Sequence, residues 1–492
     1  MTTAGSTTGV DPKMYERRWI ILVVLGIAQL MVVLDATIVN IALPSAQADL
    51  GFSDSNRQWI ITAYALAFGS LLLFGGRLSD LLGRKWVFFW GLAGFAAASA
   101  IGGLAQDFTV LVTARALQGV FGALLAPAAL SLLTTTFTDP KERGKAFGIY
   151  GAIAGGGGAL GLLLGGILTE YLSWRWCLWV NLVLAIPAAI AAVVLLVHTG
   201  RGRGSLDIPG TITSVLGLLA LVYGFSRAET DGWTSGITIS LLSTSMVLLA
   251  AFVWIEVGSS RPMLPMRVLL DRNRGGAYIG LALASAALFG VFLFLTYYLQ
   301  ATLGYSPIKT GVAFLPMIGA IMITATTSTA IVLPRTGPRL PVTLGMLLGM
   351  AGLVLFTQIG VDTAYATHVL PGLLVTGLGL GLVFACSFEV GTMGVEAYDS
   401  GVASAMVNTT QQVGGSVGTA LLSTIFASAV TAFVASSADP RSPATQAAAQ
   451  VDGYATAFWW AAGLFLLAAV ICGLLMTRRM PEHDPDAPRV AV

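Results

Sequence analysis

The chain has 492 residues, 56% of them hydrophobic and only 10% charged, with a mean hydropathy of +0.82 and a formal net charge of +2. A soluble protein carries about 25% charged residues, so these values exclude one and point to a polytopic membrane protein. The basic residues lie in small scattered groups, which argues against a nucleic-acid partner.

Apolar runs long enough to cross a bilayer recur near 19–43, 59–76, 86–104, 108–133, 146–168, 176–197, 208–226, 236–256, 276–300, 310–333, 341–361, 367–388, 404–432 and 455–477. Each needs about 20 apolar residues to cross the roughly 30 Å hydrocarbon core, and this reading makes 14 spans. The first run is longer than the core of a secretory signal and contains an acid, so it is read as a retained span. With the N-terminus inside, 20 of the 26 lysines and arginines fall on cytoplasmic segments. Arg57, Arg175, Arg227, Lys309 and Arg441 fall outside, and Arg115 falls within a span. That bias predicts a plasma-membrane protein with both termini cytoplasmic. The loops are short. The connector 257–275 carries four arginines, and the outer loop 433–453 is polar and expected to be mobile.

In chain order, the first unusual residue is Asp35, in "LDATIVNIALP" of span one. A charge at mid-membrane costs at least about 2.5–3.5 kcal/mol, so Asp35 must face a cavity, find a partner or hold a proton. It is a candidate for proton loading and release; a merely structural hydrogen bond to a neighbouring helix is the plainer alternative. "GRLSDLLGRK" (76–85) follows, between spans two and three, with Gly76, Asp80, Gly83, Arg84 and Lys85 in a tight turn. Asp80 can pair with Arg84 or cap a helix N-terminus. Arg115 lies about seven residues, roughly 10 Å, down span four from the outer surface. Asp35 lies about 13 Å from the same surface, so the two opposite charges share a depth and are expected to pair.

"GGGGALGLLLGG" (155–166) of span five lacks the Lys-Ser/Thr of a phosphate loop. Its glycines permit close helix packing or bending. No other nucleotide motif and no metal-ligand spacing occurs, so neither an enzyme, a cofactor nor a metal site is expected. Cys177, Cys386 and Cys472 lie in apolar runs and read as packing residues. "LPRTGPR" (333–339) echoes the 76–85 loop. If spans seven and eight are an inserted pair, the two basic loops fall at matching places in two six-helix halves, the parallel repeat typical of secondary transporters. Glu389, near the inner end of span twelve, is a candidate for a cationic substrate or a second proton. Tyr297, Tyr298 and Gln300 of span nine and Asn408, Gln411 and Gln412 of span thirteen are candidate cavity lining for bulky amphipathic ligands. Packing between helices would account for these residues equally well.

Across essentially its whole length the chain resembles the major facilitator superfamily, in its 14-span drug:proton antiporter branch of quaternary-ammonium and multidrug efflux proteins. The resemblance rests on "LDATIVNIALP", "GRLSDLLGRK", "LVTARALQGVFGALLAP" (111–127), "WRW" (174–176), "DIPG" (207–210) and "YYLQATLGYSPIKTGVAFLP" (297–316). It implies that Asp35 takes part in proton coupling, with Arg115 assisting. It implies that Asp80 and Arg84 act in a gating loop, and that Gly161, Gly165 and Gly166 form the antiporter motif. Two positions depart from the branch pattern, which usually has proline there: Leu162 in "GLLLGG" and Val183 in "VNLVLA".

The expected fold is all-α: a six-helix bundle over 19–200, two inserted helices over 201–260, a second bundle over 261–477, and cytoplasmic tails at 1–18 and 478–492. The expected function is proton-coupled export of drugs or other amphipathic, cationic or neutral small molecules by alternating access, acting as a monomer in the bilayer and conferring antibiotic resistance. Export of one endogenous metabolite or natural product is the first alternative, and a non-transporting membrane receptor the second.

Overall fold

The computed structural model describes residues 16–52, 54–197, 207–259 and 262–479. The tails and the 201–206 stretch assigned from sequence lie outside the described residues or at their edge. Among the described residues, fourteen helices are long and apolar enough to span a membrane. They are α1 (Arg18–Leu50), α2 (Trp59–Leu82), α3 (Arg84–Gly103), α4 (Phe108–Thr136), α5 (Pro140–Tyr171), α6 (Trp176–Leu195) and α7 (Ile208–Ala228). After these come α8 (Gly236–Gly258), α9 (Arg272–Thr302), α10 (Ile308–Thr336), α11 (Arg339–Phe356), α12 (Tyr365–Thr392), α13 (Ser400–Ser436) and α14 (Pro443–Leu475). Every predicted span is present, and most helices run past the predicted apolar stretch at one or both ends.

The ends are set by local chemistry. Asp107 accepts from Val110 N at 2.9 Å and starts α4; Asp139 accepts from Lys141 N and Glu142 N and starts α5, with Pro140 in its first turn. Asp207, Asp271 and Ser306 cap α7, α9 and α10 in the same way. Each cap satisfies N–H groups that a helix leaves orphaned. Gly83 and Gly337 take positive φ, 92° and 72°, in the α2–α3 and α10–α11 turns. These are the two basic loops read as echoes of each other, and both need the backbone freedom of glycine.

The packing repeats with an offset of eight helices. In the first half α1 packs on α5 and α6, α2 on α4, and α3 on α4 and α6; in the second α9 packs on α13 and α14, α10 on α12, and α11 on α12 and α14. The halves meet through α2 on α13 and through α5 on α10 and α12, again a pair of equivalent contacts. The fold is therefore two six-helix bundles plus an inserted pair. That pair, α7–α8, closes on itself where Gly217 and Gly224 admit Leu249 and Leu242, and α7 rests on α2 and α13. Trp233 Nε1 donates to Thr424 Oγ1 at 2.9 Å, and Thr62 and Ser226 share a hydrogen bond of 3.3 Å. Large apolar side chains on the outer helices, such as Trp254, Val194 and Leu474, stay exposed, as a lipid-facing surface requires.

Two connections differ from expectation. Most of the 433–453 loop is helical: α13 continues to Ser436 and α14 begins at Pro443. Its "ATQAAAQ" stretch is polar, but alanine and glutamine are good helix formers, so the helix continues past the apolar run. In the 257–275 connector, read as a cytoplasmic loop, Leu264 N donates to Oε2 of the buried Glu256 at the end of α8, at 2.9 Å. Leu264 and Met263 are buried too, which tucks part of the 257–275 connector into the core.

Candidate functional site

Asp35 sits in α1 with no exposed surface. Arg115 of α4 reaches it directly, Nη1 donating to Oδ2 at 2.5 Å. The opposite Asp35 oxygen, Oδ1, accepts from two amides, Gln118 Nε2 at 3.0 Å and Asn181 Nδ2 at 2.7 Å. Arg115 also donates to Gln118 Oε1 at 2.8 Å and to the Ile60 carbonyl at 3.3 Å, and its guanidinium lies 4.5 Å from the Tyr64 ring centre. Ser99 Oγ accepts from Gln118 at 2.7 Å and from Asn181 at 3.3 Å. Five helices, α1, α2, α3, α4 and α6, thus converge on one carboxylate. Its charge is paired and its oxygens hydrogen-bonded, the condition under which a buried ion pair is tolerable.

The pairing was foreseeable from the depths of Asp35 and Arg115. Ser99, Gln118, Asn181 and Tyr64 were not singled out. Gln118 stands one helical turn after Arg115, at the i+3 position that shares a face, and that spacing was the available signal. Asn181 lies in the same "VNLVLA" run that drew notice for Val183.

The glycine face of α5 bears on the Asp35 segment. A Cβ at Gly161 would collide with Thr37 Oγ1 and lie 3.0 Å from the Leu34 carbonyl; at Gly165 it would meet Ile38 at 3.0 Å. Gly166 is buried beside them. Cys177 of α6 packs against the Gly165 carbonyl at 3.8 Å. Leu162 is buried, and α5 runs unbroken from Pro140 to Tyr171 through the position where proline is usual. The other faces of α5 touch the second bundle. Cβ atoms at Gly144, Gly148 and Gly151 would strike Thr329, Thr326 and Ala385.

The 76–85 loop lies at the face of the molecule that carries both described chain ends, the terminal face. Asp80 pairs with Arg84 at 3.5 Å and also caps α13 of the opposite bundle, its oxygens accepting from Gly401 N at 3.0 Å and Val402 N at 3.3 Å. Both roles read from its sequence are used at once. Gly76 lets α2 approach α13: a Cβ there would lie 2.6 Å from the Gly401 carbonyl. Lys85 donates to the carbonyls of Val193 at 2.9 Å and Leu196 at 2.5 Å, closing the C-terminal end of α6. Arg77 Nη2 donates to Tyr398 Oη at 2.6 Å, and Ser131 and Ser400 share a bond of 2.8 Å. All but the Asp80–Arg84 pair and the Lys85 contacts bridge the two bundles.

Glu389 is buried in α12, with Arg143 of α5 3.6 Å from its Oε1 and no hydrogen bond at its Oε2. Aromatic rings lie close in sequence and space, Phe388 against Tyr150 and Phe384 at 5.9 and 6.0 Å. The remaining lining candidates are not brought into one cluster with it. Tyr297 is half-exposed. Tyr298 is fully buried and uses its hydroxyl on the Gly360 carbonyl at 2.9 Å and on Thr363, a packing contact at the opposite end from the terminal face. Gln300 keeps a buried Nε2 without a partner, and Asn408 donates to the Ser404 carbonyl of its own helix at 2.8 Å. Gln411 is half-buried, and Gln412 packs where a Gly69 Cβ would be, on the α2–α13 seam.

The family model of the Major Facilitator Superfamily matches residues 25–419. A puromycin resistance protein of Streptomyces alboniger is 48% identical over 484 residues, covering 98% of this chain and 95% of that protein. A tetracenomycin C resistance and export protein of Streptomyces glaucescens is 34% identical over 416 residues, 84% of this chain and 77% of that protein. Among solved structures, a human organic anion transporter aligns with a TM-score of 0.62 at 16% identity, over 94% of this chain and 100% of that one; the likeness is one of fold.

Proposed function

We propose that this chain, which belongs to the Major Facilitator Superfamily, is a proton-coupled exporter of antibiotics or similar amphipathic small molecules, working by alternating access. The observation that carries the reading is Asp35, a mid-helix acid without solvent contact, held by Arg115, Gln118 and Asn181 from two other helices. An intramembrane acid is functional by default, and this one is wired to the helix that touches both bundles. Protonating Asp35 removes the charge that Arg115 and both amides serve. The Asp35 helix meets α5 at Gly161 and Gly165, and α5 meets the second bundle at Gly144, Gly148 and Gly151, so a shift at one face is passed to the other.

The bundles would rock about their seam, with limits near 19–200 and 261–477 and the α7–α8 pair carried between them. If both chain ends are cytoplasmic, as the charge bias predicts, the Asp80 and Arg77 contacts would close the cytoplasmic side, which supports reading the described packing as a cytoplasm-closed state. Proton arrival at Asp35 from outside favours opening of that latch. Substrate from the cytoplasm or inner leaflet then displaces the proton. Glu389, at the closed side and poorly partnered, is offered as a subsite for a cationic group.

A second reading is export of a single natural product. Relatives named for one antibiotic each, puromycin and tetracenomycin C, favour it. A competition panel separates the two: one tight ligand supports the narrow exporter, many weak ones the broad one. The coupling is tested in proteoliposomes with an imposed pH gradient and puromycin as the cargo. Wild type should concentrate puromycin against its gradient. Asp35→Asn should fold, bind it and fail to concentrate it; undiminished gradient-driven uptake by that variant would overturn the proposal.

A further inference from the structure

Asn181 has no exposed surface, and its two amide ends are treated very differently. Nδ2 donates twice, to Asp35 Oδ1 at 2.7 Å and to Ser99 Oγ at 3.3 Å. Oδ1 is buried and has no hydrogen-bond partner. A buried carbonyl oxygen left empty beside a titratable acid is an unused acceptor, and buried acceptors are rarely left empty without a reason. The orientation of the amide follows from the charge on Asp35. A carboxylate only accepts, so the NH2 end must face it; a protonated acid has an O–H to donate, and the oxygen end then fits the same place.

We infer that Asn181 reports the charge on Asp35 to α6, donating to the carboxylate and turning its amide over to accept from the protonated acid. The inference rests on the proposed role of Asp35 as the proton carrier. In the turned state the O–H of protonated Asp35 donates to Asn181 Oδ1, and the Ser99 hydroxyl can donate to the same atom. The NH2 end then gives up both of its present acceptors, Asp35 Oδ1 and Ser99 Oγ, so the protonated packing is the less stable of the two. Relief comes from movement of α6, whose Cys177, one turn before Asn181, packs on the Gly165 carbonyl of α5. Asn181 is thus a positioning residue between the proton site and the glycine seam.

The charged and titratable groups that face Asp35 come from three neighbouring helices. α4 contributes Arg115, α2 contributes Tyr64 and α6 contributes Cys177. α3 contributes the non-ionising Ser99, and α5 presents glycines.

The test is the pH profile of puromycin-driven proton exchange in proteoliposomes for wild type, Asn181→Leu and Asn181→Asp, with Asp35→Asn alongside. Asn181→Leu keeps the size but removes the donor that favours the carboxylate, so the half-maximal pH should rise by about one unit. Asn181→Asp keeps the shape and adds a second carboxylate that must share a proton, so it should rise further. An unmoved half-point in both variants, whether the rate is full or uniformly reduced, overturns the inference and leaves Asn181 a packing residue. A downward shift overturns it as well. If Asn181→Leu fails to fold, the Asn181→Asp profile decides alone. Persistence of exchange in Asp35→Asn would instead overturn the proposed function, whatever the Asn181 variants do.

Discussion

Asp35 and Glu389 are both buried acids in apolar helices, and they are held in opposite ways. Asp35 has its oxygens occupied by Arg115, Gln118 and Asn181, all from its own bundle. Glu389 has Arg143 at 3.6 Å from across the seam, and its Oε2 has no hydrogen bond. Rocking the bundles would leave the Asp35 partners in place and pull Arg143 away from Glu389. Protonation does the reverse, altering the Asp35 network from within. Under the proposed function the first site would sense protons, and the second bundle separation and what enters between the bundles.

The contrast breaks most readily at Arg115. Arg115→Ala leaves a buried carboxylate without its cation, and such a loss costs about 3–5 kcal/mol. The expected outcome is a large fall in thermal midpoint in detergent, mostly recovered in Arg115→Ala/Asp35→Asn. Arg143→Ala should cost far less, because its pair is looser and Arg143 is partly exposed. Equal losses for the two arginines would remove the distinction between the sites.

Gly161→Ala comes next. Its Cβ would overlap Thr37 Oγ1, so initial transport rates should drop more than about tenfold through steric exclusion at a close helix contact. Thr37→Ala in the same chain should restore part of the rate; the Leu34 carbonyl, 3.0 Å from that Cβ, limits the rest. No recovery would show that the α1–α5 contact is not what the glycine protects.

Asp80→Asn is expected to act more mildly. It keeps one acceptor for the α13 N-terminus and loses the charge, a change of about 1 kcal/mol or a factor of about five in the latch equilibrium. Spin labels at Lys145 and Arg335, exposed residues of α5 and α10 at the terminal face, should show a longer-distance population growing by that factor. Glu389→Gln should be the smallest on protons. Its proton-to-drug ratio should match wild type while its preference among cationic and neutral drugs changes; a halved ratio would make Glu389 a second proton site.

The fold was legible because hydrophobic length and the arginine–lysine bias are strong, independent signals, and the helix packing follows the repeat they predict. The stretch at 443–453 escaped because a polar, alanine-rich helix beyond the apolar run has no hydropathy signature. Asp35 and Arg115 were legible because charges inside spans are rare and their depth can be counted along the chain. Gln118, Asn181 and Ser99 were not, since polar residues on apolar helices are common and only packing tells which of them face an acid. Asp80 was read as a possible helix cap, but the helix it caps begins more than 300 residues later, a relation no local pattern carries. Tyr298 looked like cavity lining because aromatic residues suit amphipathic ligands, yet its hydroxyl is engaged by Gly360 and Thr363.

The most direct measurement is proton release on drug binding, read with a pH dye from purified protein in weakly buffered detergent as puromycin is added. Wild type should release protons in proportion to the puromycin bound, and Asp35→Asn should bind puromycin and release none. Release from Asp35→Asn equal to that of wild type would contradict the assignment of Asp35 as the proton carrier.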